Sequence, residues 1–394
     1  MNEHRENKLH IGFFGRCNTG KSTLINTLTG QNTSIVSQQK GTTTDIVKKT
    51  IELYGIGAVV LIDTAGIDDD TELGKKRVEK TKEVFSLIDM CVIVVSDNLI
   101  ADKENELILQ AKRYSIPYIL VHNKEDLSPA NEQTRQKENL ICVSLMDKTS
   151  KERLTQFIKE RLIGNNKPQS ILEGIVSKND IVILVTPIDS SAPKGRMILP
   201  QVKTIREVID NNAISIVVKE TELEYTLSLM KNNPPKLVIT DSQIFSFVEK
   251  IVPDNIFLTS FSILLAKEKG DFELYLKGTP YLDNLKDGDK VLMLESCTHQ
   301  PTCEDIGRVK LPMWIKKYTG KEIEFDAVAG LMDMKEDVKN YKMVIQCGGC
   351  VATSKQLHNR LLPFVEENIP VSNYGLTIAY INGIFNRAIK IFSK

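Results

Sequence analysis

Short apolar runs alternate with polar, glycine-bearing stretches along the chain, and their spacing predicts strands followed by helices. The first third offers LHIGFF (9–14), VVLID (59–63) and YILVH (118–122) as buried-type strands, with Leu24, Ile25 and Leu28 on one face of a helix. The middle third repeats the theme in DIVILVTP, AISIVV and PKLVITDS, separated by the helical patterns LPQVKTIREVID and ELEYTLSLMK. Such alternation implies β-α-β units and parallel sheets with helices on their faces. In the last third two more apolar strands, KVLMLES (290–296) and KMVIQ (342–346), each run into cysteine, and CVATSKQLHNRLLPFVEE is expected to be helical with Leu357, Leu361 and Val365 on a face.

With 394 residues the chain is too long for one ordinary core. The polar segment 164–174 reads as a first linker, and the expected organisation is three domains: 1–166, 175–265 and 267–394. The fold class is α/β throughout: a P-loop domain carrying G-x-x-x-x-G-K-S at Gly15–Ser22, a small parallel α/β domain, and an α/β domain that uses cysteine. Basic and acidic residues number 51 each, so no net field recruits nucleic acid or an anionic membrane. No apolar stretch reaches membrane-spanning length and the N-terminus lacks a signal-peptide pattern, so a soluble, cytoplasmic protein is expected. Seven cysteines, an odd count, do not read as a disulfide framework.

Gly15 to Ser22 spells G-x-x-x-x-G-K-S between a strand and a helix. There the backbone amides wrap phosphates, Lys21 faces the outer phosphates and the Ser22 hydroxyl ligates Mg²⁺. Gly15, Asn18, Thr19, Gly20 and Thr23 complete the expected nucleotide contacts. DTAG supplies Asp63 for Mg²⁺ through water and Gly66 for the terminal phosphate. Asn123, Lys124 and Asp126 follow a third strand, and a carboxylate there accepts from both N1–H and the amine of guanine. Leaving that acceptor unpaired costs roughly several kcal/mol, which selects GTP over ATP. Ser144 and Leu145 are expected to back the base with their amides. The segment QQKGTTTDIV (38–47) suits an order–disorder switch, with Thr43 as the Mg²⁺-ligating threonine. Ile67 stands where a water-orienting glutamine is used in other switches, so slow intrinsic hydrolysis is expected, with Glu72 as the candidate acid. GTTTD and Asn18 resemble the GTPases that include the tRNA-modifying TrmE group, a resemblance that implies K⁺ at Asn18.

Cys297, Cys347 and Cys350 end two strands that parallel packing brings to one sheet edge. Three readings stay open on spacing alone: zinc on a Cys₃His set with His299, a cubane iron–sulfur cluster on three thiolates, or a thiol–disulfide pair beside a helix N-terminus.

Over nearly its whole length the chain resembles the FeFe-hydrogenase maturation GTPase family HydF. The GTPase loops, PIDSSAPKGRMILPQ, CTHQPTCEDIGRVKLP, QCGGC and PVSNYGLTIAYINGI carry the likeness. The resemblance implies GTP hydrolysis by the first domain, a homodimer formed by the second, and a 4Fe-4S cluster on Cys297, Cys347 and Cys350 in the third. It implies a carrier that receives a di-iron precursor made with radical-SAM maturases and delivers it to apo FeFe-hydrogenase. Gln346 departs from the histidine often found there, which leaves the fourth iron partner among His299, Cys303, Glu304, Asp305 or an outside molecule. The rival reading is an RNA- or ribosome-associated switch GTPase with a zinc module, which neutral charge and 6% aromatic residues disfavour.

Overall fold

The computed structural model describes residues 8–30, 47–53, 56–68, 83–98, 100–144, 146–165, 170–188, 197–296, 305–330 and 336–392. Thr43, Glu72, Leu145, Cys297, His299, Cys303, Glu304 and most of the 187–201 segment lie outside them. The chain divides into two compact units, Met1–Pro168 and Gln169–Lys394.

The first unit is built on a six-stranded sheet: β1 (Leu9–Phe14), β2 (Val47–Leu53), β3 (Gly57–Asp63), β4 (Met90–Val95), β5 (Tyr118–His122) and β6 (Leu140–Cys142). Their order is β2-β3-β1-β4-β5-β6, parallel except for the antiparallel edge strand β2. Every residue of β4 is buried, as a central parallel strand covered on both faces requires. Helix α1 (Lys21–Thr29) buries Leu24, Ile25 and Leu28. The register pairs Phe13 with Asp63 and Val95 with His122, so the loops after β1, β3 and β5 leave the sheet at one carboxyl edge.

The second unit contains two four-stranded parallel sheets. One comprises β7 (Ile181–Val185), β8 (Ile214–Val218), β9 (Leu237–Thr240) and β10 (Phe257–Ser260), in the order β10-β9-β7-β8. The other comprises β11 (Lys290–Leu294), β12 (Glu324–Val328), β13 (Met343–Gln346) and β14 (Val371–Asn373), in the order β12-β11-β13-β14. They share one core, in which Ile183, Val238 and Leu258 of the first sheet pack in the same cluster as Leu292, Leu294 and Val344 of the second. Helix α2 (Phe261–Lys269) lies within this unit with Phe261, Ile263, Leu264, Leu265, Ala266 and Lys269 all buried, the pattern of a helix enclosed on most sides. Its Ser260 cap accepts the Ile263 N–H at 3.3 Å.

Helix α3 begins later than the sequence suggests, at Ser354, and ends at Glu366. Thr353 and Gln356 form a reciprocal capping box, the Thr353 Oγ1 accepting the Gln356 N–H at 3.2 Å and the Gln356 Oε1 accepting the Thr353 N–H at 3.0 Å. Cys350 therefore lies outside the helix. The expected stripe also bends: Leu357 and Leu361 are buried with Phe364, while Val365 is 39% exposed. Steps of four residues overshoot a 3.6-residue turn, so the second such step rotates off the face.

Candidate nucleotide and metal sites

At the carboxyl edge of the first sheet the chain turns through Gly15–Gly20 before α1. Gly15 has φ +146° and a Cβ there would meet the Val94 carbonyl oxygen at 2.2 Å; Gly20 has φ +91° and its Cβ would meet Asn123 Nδ2 at 2.4 Å. Only glycine satisfies both the backbone region and the space. Lys21 is 8% exposed, and its Nζ donates to the carbonyls of Gly15 at 2.9 Å and Arg16 at 2.7 Å, holding the loop closed around the ammonium. Burial lowers its pKa and the nearby Asp63 opposes that shift. Arg16 is locked from outside by Glu104, which accepts at 2.8 and 3.0 Å and is 1% exposed. No periodic signal in the sequence marks that pair.

Asp63 sits beside the loop with its pKa raised by burial, while Ser22 and Lys21 pull it back. Its Oδ1 is buried with no hydrogen-bond partner among the described residues. An orphaned carboxylate oxygen next to a serine hydroxyl fits a divalent cation such as Mg²⁺. Thr64 anchors DTAG by donating from Oγ1 to the Phe13 carbonyl at 2.7 Å, and the Ile67 N–H donates to Gly15 O at 3.3 Å. A Cβ at Gly66 would fall 2.3 Å from Cys17 Sγ, so DTAG lies directly against the phosphate loop. Ile67 is buried, and it has no polar atom with which to orient water.

Asn123 is fully buried and donates from Nδ2 to the Thr19 carbonyl at 2.9 Å; Lys124, at φ +60°, donates from Nζ to the Asn18 carbonyl at 2.6 Å. The loop after β5 is thereby pinned to the phosphate loop. Asn18 itself is exposed at φ +60°. Asp126 Oδ1 accepts from the Ser144 hydroxyl at 2.6 Å, which leaves the carboxylate at the surface. The Ser144 amide is taken by Ser150 Oγ at 3.2 Å, so the hydroxyl rather than the amide of Ser144 meets the base-reading loop.

In the second unit β11 and β13 are parallel neighbours with Leu294 opposite Gln346. Cys347 follows β13 directly, and its N–H donates to Leu294 O at 2.9 Å. Its sulfur accepts the Ser296 N–H at 3.1 Å and lies 3.2 Å from Ser296 Oγ. Ser296 is the last described residue before Cys297, so the two cysteine-bearing strand ends meet side by side. Donors aimed at sulfur fit a metal-bound cysteine. Gly349 has φ +68°, and a Cβ there would strike Leu357 Cδ1 at 2.4 Å. Cys350 reaches the surface, and its thiol is pushed up by desolvation and by Cys347, with Lys269 acting against both. That direction is opposite to the helix-terminus lowering expected from the sequence, because Cys350 lies before the cap.

Gln346 is fully buried with both amide atoms engaged. Oε1 accepts from Tyr275 Oη at 2.6 Å and Nε2 donates to Leu357 O at 3.3 Å. Asp305 Oδ1 accepts the Arg308 N–H at 2.9 Å as a cap. Sequence reasoning missed two buried cations around this loop, Lys269 and Arg360, 6% and 7% exposed. No motif marks either.

Residues 171–270 match the hydrogen maturase F dimerization domain and residues 273–391 the hydrogen maturase F tetramerization domain. The chain belongs to the HydF family. In this HydF family member residues 10–124 also match the 50S ribosome-binding GTPase model, so the first unit is a P-loop GTPase domain. That part is 32% identical over 162 residues to the tRNA modification GTPase MnmE of Prochlorococcus marinus (strain NATL2A), covering 39% of this chain and 34% of the relative. It is 33% identical over 145 residues to GTPase Der of Kosmotoga olearia, covering 35% and 32%. The chain thus spans about a third of each of these relatives. The G domain of the T. maritima FeoB iron transporter is also similar, with a TM-score of 0.31 and 18% identity, over 39% of this chain and 98% of that one. Among the described residues no helix is long and apolar enough to cross a membrane.

Proposed function

We propose that this HydF family member hydrolyses GTP in its first unit and holds a 4Fe-4S cluster on Cys297, Cys347 and Cys350 in its second, acting as a carrier of the di-iron precursor for FeFe-hydrogenase. The observation that carries the reading is the Ser296 amide directed at Cys347 Sγ across neighbouring strand ends. It places a sulfur-stabilising donor one residue before Cys297, within the region that matches the HydF family. When bound, the cluster supplies a soft, thiolate-held iron centre beside which precursor is kept. The chain's own groups orient the two strand ends and direct amides to sulfur.

Gln346 is occupied by Tyr275 and Leu357, so it does not reach a metal; the fourth iron falls to His299, Cys303, Glu304 or an outside molecule. The cap made by Asp305 argues against it as that ligand. In the first unit Ser22, Asp63 and Thr43 hold Mg²⁺, Asn18 takes K⁺, and Asn123, Lys124 and Asp126 read guanine. With Ile67 in the water-orienting position, turnover is slow until K⁺, a partner or Glu72 completes the site. The partners are the radical-SAM maturases and the apo-hydrogenase.

Anaerobic reconstitution with ferrous iron and sulfide tests the cluster. A brown protein with about four irons per chain is expected. Colourless protein carrying one zinc sinks the proposal and favours a structural metal module.

Self-association is supported by the matched dimerization and tetramerization domains. The surface proposed for the dimer is β8, whose outer edge has no strand beside it among the described residues and whose Ile214 and Val217 are 50% and 44% exposed. An open edge with apolar side chains is a template for pairing with a second copy. Val217→Lys is expected to weaken the dimer by about tenfold or more, since a buried unpaired charge costs more than 1.4 kcal/mol. Sedimentation at several concentrations reads this; an unchanged mass moves the interface elsewhere.

A further inference from the structure

Lys269 ends helix α2, which belongs to the segment matched by the dimerization domain, yet its ammonium reaches the cysteine loop of the following domain. Nζ donates to Gly349 O at 2.8 Å, to Ala352 O at 3.0 Å and, more weakly, to Cys350 O at 3.4 Å. All three acceptors are main-chain carbonyls of the Cys347–Ala352 turn. Around them Gly348 lies against Leu265 of α2, where a Cβ would be 3.1 Å from Cδ2, and Gly349 lies against Leu357 of α3. The turn is therefore seated between two helices and tied from below by one cation.

A buried ammonium is costly unless negative charge meets it. Lys269 is 6% exposed and makes no ion pair among the described residues. Glu268, the adjacent carboxylate, is engaged by Lys203. The remaining anionic groups that act on the ammonium are the thiols of Cys350 and Cys347 when ionised. On the other strand end Arg360 donates from Nη1 to Glu295 O at 2.6 Å and from Nη2 to Val328 O at 2.9 Å, fixing β11 and β12 where the chain leaves toward Cys297. Cys347 contributes to the field at this guanidinium too.

The geometry points to Lys269 as a positioning residue of the metal site: it holds the Cys347–Cys350 turn through its carbonyls and supplies a positive charge that offsets the thiolates. This inference rests on the proposed metal-binding role of those cysteines. It assigns Lys269 no contact with the metal and no proton transfer. A cation held near a thiolate-ligated cluster favours the state with the extra electron, so it raises the reduction potential.

The test uses the full chain, reconstituted anaerobically, as wild type, Lys269→Met and Lys269→Gln. Lys269→Met is expected to release iron to a chelator about five- to thirtyfold faster, the range set by losing one or two net hydrogen bonds. Its reduction potential, read by titration followed by electron paramagnetic resonance, is expected to move negative. Lys269→Gln keeps amide donors without the charge, so it restores slow release while its potential stays with that of Lys269→Met. Wild-type potential in both variants overturns the charge role, and wild-type release in Lys269→Met overturns the positioning role. Where Lys269→Met fails to fold, the Lys269→Gln potential decides. Should wild type take up no iron and sulfide, the proposed function falls, and cobalt(II) titration of the turn still judges Lys269. Weaker thiolate absorption in Lys269→Met then supports the positioning role, and absorption equal to wild type refutes it.

Discussion

Cys347→Ala is expected to abolish cluster retention, taking iron from about four per chain to below one, while GTP hydrolysis stays within about twofold of wild type. Two losses coincide in that substitution. The proposed soft ligand disappears from the end of β13, and the Ser296 amide, which now donates to sulfur at 3.1 Å, is left without its acceptor. A buried donor stripped of its partner costs roughly 1–3 kcal/mol, so the two strand ends that must converge also loosen. Hydrolysis is spared because the phosphate loop and DTAG lie in the other compact unit. Iron analysis beside a phosphate-release assay reads both properties on one sample. Full iron in Cys347→Ala would remove this thiol from the ligand set.

Lys21→Ala should do the reverse, lowering GTP hydrolysis by roughly 10²–10³-fold or more, the scale of removing one preorganised group at a transferring phosphoryl. Two carbonyls, Gly15 O and Arg16 O, converge on its Nζ, so alanine removes both the cation proposed to face phosphate and the brace that shapes the loop. Iron loading should be unchanged. Loss of both properties in both variants would refute their assignment to separate units.

Much of the architecture is legible in the chain. β1, β3, β5, β7, β9, β11 and β13 are apolar runs long enough to announce buried parallel strands, and the P-loop follows from a motif with a strand before it and a helix after. β2 is harder, because VKKTIEL places Lys48, Lys49 and Glu52 on an antiparallel edge strand with one buried residue. β12, reading EFDAV, has no fully buried position. An apolar-run search passes over such edges. The helix after the CxxC was legible as a helix, but its start was set by a Thr353–Gln356 box that competes with a continuous apolar reading.

The sites divide in the same way. Glycines and lysine of the phosphate loop carry a spacing because the ligand's own geometry imposes one. Glu104, Lys269 and Arg360 carry none, because each reaches its targets from 32 or more positions away along the chain. Gln346 shows a third situation. As a departure from the family's histidine it raised the question of a missing ligand, and its amide is instead spent on Tyr275 and Leu357 inside the core. Such a long-range contact leaves no local trace.

Helix α2 also bears on how this protein can be inherited. Its apolar body packs in the core that both sheets share and its terminal lysine holds the cysteine turn, so a recombination event that cuts near residue 270 would separate the cysteines from their brace. The GTPase can be exchanged for another at its boundary near residue 168 without that injury. Gene shuffling in this family is therefore expected to move the last two parts as a linked pair.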